Sequence, residues 1–335
     1  MSKKVQVDEF NQPKVGLIHL YDVEKRLTAF ESGDFESPCT LIFIGGLGDG
    51  LYSVPYLETL TESLSTVNYS LTQVLLTSSY KGFGSVGLED DVKEIGCLLE
   101  YFKRLGKRRF ILFGHSTGCQ DIVRFFNPLS GNEKPEDGDQ TFEGIVGIIL
   151  QAPVSDREFI IDTLGEQRYR TSLALAKDLV DSGQGQTPIP NEYSDMFSGG
   201  KTQFISASRW LTLSSSIKDS KDSEDFFSSD ASLNDDQSMI KNLSNVSKIH
   251  KVYSMVLLSG KDETMPSSID KVFHLNRLVN ALTFGSDDGY HLTDICKRFS
   301  TILENAGHQV EESKDELCDK VVEFIRSVSE LIDDT

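Results

Sequence analysis

Ser116 stands in Gly114-His115-Ser116-Thr117-Gly118, a complete G-x-S-x-G. The apolar run Phe110-Ile111-Leu112-Phe113 precedes it, and the amphipathic stretch Cys119 to Phe126 follows it. A strand that turns sharply into a helix at a serine strains that residue's backbone. It also brings neighbouring chain close, so positions two residues to either side must be nearly bare of side chain. Such a turn lifts the hydroxyl above the sheet and aims the first unpaired N–H groups of the helix at the place where negative charge would develop. In this strand–turn–helix setting the motif marks a candidate nucleophile.

A serine hydroxyl needs a base, and the base needs an orienting group. On a sheet of this kind the acid and then the histidine follow the serine along the chain. Asp262 lies just past the apolar run ending Leu257-Leu258-Ser259, in Ser-Gly-Lys-Asp-Glu-Thr-Met-Pro. That is the C-terminal end of a strand, where α/β sheets gather their site residues. A carboxylate there would accept the Nδ1–H of a histidine, fix its tautomer and stabilise the imidazolium. Glu263 is the nearest competitor, and capping of the following helix is the structural alternative for Asp262. The histidines are His19, His115, His250, His274, His291 and His308. His308 follows both the acid and a further strand candidate, and Ala306-Gly307 before it suits a tight loop that swings an imidazole over the serine. His291, in Asp-Gly-Tyr-His, is its rival. For the developing oxyanion, the expected donors are the backbone N–H groups of Thr117 and of Leu47, the latter in Gly45-Gly46-Leu47-Gly48-Asp49-Gly50. The structural alternative for that loop is an ordinary glycine-rich turn. A phosphate cradle is disfavoured, because neither G-x-x-x-x-G-K-[ST] nor a dinucleotide fingerprint is present.

The elements that must position these residues follow from hydrophobic period. Val15 to Tyr21 and Leu27 to Phe30 are expected as a leading antiparallel pair of strands. Thr40 to Ile44, Leu71 to Thr77, 110–113, Gly144 to Leu150, Lys251 to Ser259 and Phe299 to Leu303 are expected as further strands. Several of these are continuous apolar runs, as strands buried on both faces are. Ser53 to Val67, Leu88 to Leu105 and Lys314 to Leu331 have helical spacing. The β-α-β-α-β succession implies a mostly parallel sheet with helices on both faces. Between Gln151 and Val252 the spacing is helical without a clear strand, after which the chain returns to the sheet. The expectation is one domain over 1–335 with a cap inserted at about 154–248; a separate second domain there is the weaker alternative. Trp210, Phe197 and Phe204 in this insertion either pack its helices or line an acyl pocket. Gly131 to Gln140 is expected as a smaller loop insertion. The Ser- and Asp-rich stretch Asp219 to Asp236 reads as a solvated, mobile surface loop.

The chain has 335 residues and a formal net charge of -19. That acidity argues against nucleic acid or an anionic membrane as partner and is consistent with simple solubility. Five cysteines without C-x-x-C spacing form neither a disulfide framework nor a zinc site. Together with the lack of H-E-x-x-H, this disfavours a metal, and no cofactor is expected. No signal-peptide pattern and no membrane-length apolar run is visible, so a cytoplasmic location is expected. The oligomeric state is left open.

Phe43-Ile-Gly-Gly-Leu-Gly-Asp-Gly50, Gly114-His-Ser-Thr-Gly-Cys-Gln-Asp121 and Ala306-Gly-His-Gln309 together resemble the α/β-hydrolase superfamily. More narrowly they look like a largely fungal family of unknown function that includes siderophore esterases. The likeness covers 40–150 and 250–330 as core, with 154–248 as cap. It departs from the commonest pattern at Gly45, where many relatives carry histidine. The implied fold is the α/β-hydrolase fold. The expected activity is hydrolysis of a small-molecule carboxylic ester through Ser116, His308 and Asp262 by way of an acyl-enzyme, with a siderophore-type ester implied by the resemblance alone. A thioester, a peptide or a non-water acyl acceptor would suit the same three residues. A binding protein that keeps the fold without turnover is the remaining alternative.

Overall fold

The structure, a computed structural model, describes residues 12–129, 142–198, 203–230, 239–248, 251–285 and 291–333. Eight strands form a single sheet: β1 (Leu17–Asp22), β2 (Leu27–Gly33), β3 (Cys39–Ile44), β4 (Ser70–Val74), β5 (Arg109–His115), β6 (Ile145–Gln151), β7 (Tyr253–Ser259) and β8 (Thr301–Leu303). Their spatial order is β1-β2-β4-β3-β5-β6-β7-β8. The β1–β2 and β2–β4 pairings are antiparallel, and every pairing from β4 to β8 is parallel. Buried parallel strands need apolar residues on both faces, and all six residues of β3 and all seven of β7 are buried.

The alternation of the strands divides the core. Ile42, Ile44, Leu112, Ile148, Leu150, Val256 and Leu258 face one layer, formed by α2 (Leu88–Arg104), α3 (Thr117–Phe125), α8 (Met239–Lys248) and α9 (Lys271–Thr283). Leu41, Phe43, Ile111, Phe113, Ile149, Met255 and Leu257 face the other, formed by α1 (Leu57–Ser65), α10 (Leu292–Phe299) and α11 (Lys314–Asp333). Between β6 and β7 lie α4 (Asp156–Leu164), α5 (Glu166–Asp181), α6 (Asn191–Ser194) and α7 (Ala207–Ser214), ahead of α8. Helices α4 to α7 pack on a third apolar cluster of their own, with Ile160, Tyr169, Tyr193 and Trp210 buried in it.

The strand expectations hold with shifts of a few residues. The strand expected over Phe299–Leu303 is shorter, because Phe299 still closes α10. The helix expected from Ser53 starts at Leu57. A helix after Asp262 was expected without bounds, whereas two, α9 and α10, lie between β7 and β8. The loop insertion Gly131 to Gln140 lies outside the described residues.

The Ser- and Asp-rich stretch requires a correction. Residues 231–236 lie outside the described residues, but Ser223 to Ser228 are buried rather than solvated. Phe226 and Phe227 insert into the core layer beside α3 and α8. The charges that composition would place in water are paired instead. Arg157 Nε donates to Asp225 Oδ2 at 2.7 Å, Ser155 Oγ donates to Asp225 Oδ1 at 2.5 Å, and Arg209 pairs with Glu224. Arg124 Nη2 donates to the Ser223 carbonyl at 2.8 Å. Removing one partner of a buried pair strands the other charge. Arg157→Ala should therefore lower unfolding free energy by about 3–5 kcal/mol in urea titrations. Arg170→Ala, which breaks the exposed pair with Glu166, should leave stability nearly unchanged.

Candidate active site

Strand β5 ends at His115, Ser116 follows, and α3 begins at Thr117. Ser116 has φ 53° and ψ -122°, a conformation that L residues rarely adopt. The strain is held by what surrounds it. Ser116 N–H donates to the Gln151 carbonyl at 3.0 Å, and its own carbonyl accepts from Cys119 N–H at 2.9 Å. A Cβ on Gly118 would stand 2.2 Å from the Ile44 carbonyl oxygen, so α3 can start this close to β3 only with glycine there. A Cβ on Gly46 would stand 2.7 Å from Ser116 Cβ, so the 45–50 loop is pressed directly against the serine.

The sheet brings Asp262 and His308 together from separate loops. Asp262 follows β7, and His308 follows β8. His308 Nδ1 lies 3.0 Å from both carboxylate oxygens of Asp262. Thr264 N–H and Oγ1–H donate to Asp262 Oδ1 at 2.9 and 2.7 Å. Burial works against the Asp262 charge, yet the His308 bond and the Thr264 donors hold its carboxyl below the usual range. Burial likewise opposes charge on His308, but Asp262, with Glu263 and Asp49 adding to it, raises the imidazole above the ordinary histidine value. Glu263, the competitor for the acid position, accepts the His308 backbone N–H at 2.9 Å and so grips the loop rather than the ring. His291 is elsewhere: it precedes α10 in a left-handed conformation, with its side chain exposed beside Asp294.

Ser116, His308, Leu47, His115, Asp49, Asp156 and Thr264 line one cleft of about 180 Å³, with Val154, Phe159, Met196 and Phe197 among its other walls. Leu47 N–H and Thr117 N–H have no acceptor among the described residues. Gly46 N–H does have one: Asp49 Oδ2 at 2.7 Å, a bond that closes the 45–50 loop on itself. Of the three aromatics singled out from the sequence, Phe197 lines the cleft, Trp210 is fully buried among α4 to α7 and Phe204 is half exposed.

The support beneath these residues comes from Gln151, a position not expected from the sequence. Gln151 Oε1 accepts from His115 Nδ1 at 2.5 Å and from Tyr56 OH at 3.1 Å, and its Nε2 donates to the His308 carbonyl at 3.4 Å. One residue at the end of β6 thus touches the serine's N–H, the preceding histidine and the histidine loop. A polar residue closing a buried apolar strand, Ile148-Ile149-Leu150-Gln151, was the available signal. The His115 and His308 rings lie 5.0 Å apart. Burial, reinforced by the charge of His308, pushes His115 down to about 4, so it stays neutral near neutral pH. Among the described residues, no group of three or more His, Cys, Asp or Glu is arranged to hold a metal ion, and no helix is long and apolar enough to cross a membrane.

Comparison with known proteins agrees with this architecture. The sequence profile of a family described as protein of unknown function (DUF1749) matches residues 6–326. The chain is 31% identical to Esterase AN6793 of Emericella nidulans over 307 residues, covering 79% of this chain and 80% of the relative. It is 28% identical over 348 residues to Fusarinine C esterase sidJ of Aspergillus fumigatus, covering 93% of this chain and 96% of the relative. The solved structure of the siderophore hydrolase EstB from Aspergillus fumigatus superposes with a TM-score of 0.70 at 26% identity, over 94% of this chain and 97% of that one. The fold is that of the α/β hydrolases.

The lowered proton affinity of His115 has a consequence for stability. An unfolded histidine binds a proton below about pH 6.5, whereas the folded His115 does so only near 4. Its contribution is therefore complete above pH 6.5 and is lost as pH falls toward 4. The stability difference between wild type and His115→Gln, from chemical denaturation at pH 7 and at pH 4, should shrink on acidification by about 2–3 kcal/mol. An unchanged difference would mean that His115 is not held neutral.

Proposed function

The chain belongs to the DUF1749 family of proteins of unknown function, and within that family we propose that it is a serine hydrolase cleaving carboxylic esters through Ser116, His308 and Asp262. The observation that carries this reading is that a strained serine and a carboxylate-bound imidazole line the same cleft. The esterase names of two relatives and the siderophore hydrolase structure support it, and they make a siderophore-type ester the candidate substrate.

In the proposed cycle His308 donates Nδ1–H to Asp262, which leaves Nε2 with the lone pair that takes the Ser116 proton. Ser116 Oγ attacks the ester carbonyl, and the Leu47 and Thr117 N–H groups bond the oxyanion. The alcohol leaves with the proton returned by His308. Water, deprotonated by the same imidazole, then releases the acid and restores Ser116. The segment 154–248 acts as a cap, since Phe159, Met196 and Phe197 from it wall the cleft.

A fluorophosphonate probe should label the wild type and fail to label Ser116→Ala; equal labelling of both would end the proposal. His308→Ala should lose ester turnover while His291→Ala keeps it. Because His308 must be neutral to act, and Asp262 raises its proton affinity, the acid limb of kcat/KM should lie above the ordinary histidine value of about 6.5. Asp262→Asn should move that limb downward and lower kcat by about 10³–10⁴. A limb unmoved by this substitution would separate Asp262 from the base.

A further inference from the structure

The cleft beside Ser116 is acidic. Asp49 and Asp156 line it, and its described lining residues include no lysine or arginine. Asp49 is committed to the Gly46 N–H. Asp156 is used by no step of the proposed cycle. It occupies the first position of α4, and Gln120 Nε2, 3.2 Å from its Oδ2, is the one hydrogen-bond donor to its carboxyl among the described residues. Only 8% of the residue is exposed, so the carboxylate has given up most of its hydration. Burial first, then the charges of Glu224 and Asp225 against the opposing charges of Arg209 and of His308 in the same cleft, push it up to about 7. A carboxyl in that condition gains from a cation brought beside it, because opposite charge restores the ionised form. The Phe159 and Phe197 rings, 5.9 Å apart, supply a wall suited to the methylene stem of an amine and to its charged head.

Resting on the ester-hydrolase reading of Ser116, we propose that this cleft selects esters whose acyl chain carries a protonated amine, with Asp156 binding the ammonium, and that it rejects acyl chains carrying a carboxylate. The proposal commits to the acyl chain: it is bonded to Ser116 in the acyl-enzyme, and Asp156 lines the same cleft.

Three methyl esters of matched length test this: methyl heptanoate, methyl 6-aminohexanoate and monomethyl pimelate, which end in methyl, ammonium and carboxylate. At about pH 8 the wild type should hydrolyse the aminohexanoate with a kcat/KM at least about fivefold above the heptanoate, and the pimelate below it. The cation-to-neutral ratio, taken within each protein, should fall to about one in Asp156→Asn and stay above one in Asp156→Glu. In the wild type alone the same ratio should shrink as salt screens the pair, a readout that needs no variant to fold. A wild-type ratio of one or less, or a ratio that Asp156→Asn leaves unchanged, overturns the inference. Turnover of the heptanoate without charge preference defeats it while leaving the ester-hydrolase reading standing. No turnover of any of the three, with no fluorophosphonate label on Ser116, defeats that reading and the inference with it.

Discussion

A serine at φ 53° between a strand and a helix persists only where its surroundings leave it no easier conformation. Here the surroundings are two neighbouring strands of one sheet and the loop that follows one of them. Strand β6 supplies the carbonyl that accepts the Ser116 N–H, β3 lies against Gly118, and the loop after β3 lies against the serine itself through Gly46. The turn is thus a property of the parallel sheet. It could not be built by the local sequence alone, because its restraints come from β3 and β6, which are far from Ser116 in sequence. The same convergence puts the loops after β7 and β8 beside it, and with them Asp262 and His308.

Beneath the turn, the protein manages several buried ionisable groups by pairing or neutralising them. Asp262 keeps its charge because His308 and Thr264 supply hydrogen bonds. His115 gives up its charge, which spares His308 a neighbouring cation when His308 is protonated. Gln151, which carries no charge, joins these parts at no desolvation cost beyond that of a bonded amide. Between β6 and β7, Arg157 and Arg209 hold the chain from Ser223 to Ser228 in the interior through Asp225 and Glu224. Helices α4 and α7 are therefore tied by buried charge pairs to a stretch that itself enters the core layer through Phe226 and Phe227.

How much of this was legible in the sequence depended on whether the signal was local. The strand–turn–helix around Ser116 was legible because apolar period and glycine spacing lie within a dozen residues. The parallel strands were legible as continuous apolar runs, and Asp262 and His308 as polar residues placed after two of them. The order of the strands, with β4 between β2 and β3, is a long-range property that no local period encodes. The stretch around Phe226 and Phe227 differs from expectation for a related reason: its charges look solvated until Arg157 and Arg209, on helices of their own, are brought against Asp225 and Glu224. Gln151 and Asp156 escaped because a single polar residue at a strand or helix end has many ordinary explanations, and only proximity to Ser116 sets these two apart.

In the proposed cycle Ser116 carries the acyl group of an ester between the two halves of the reaction. The most direct measurement is acid quenching during turnover of p-nitrophenyl acetate, followed by peptide mass mapping. An acetyl group is expected on the peptide containing Ser116, accumulating in the wild type and absent from Ser116→Ala. Hydrolysis that proceeds with no acetyl on that peptide, or with the acetyl on another residue, would contradict it.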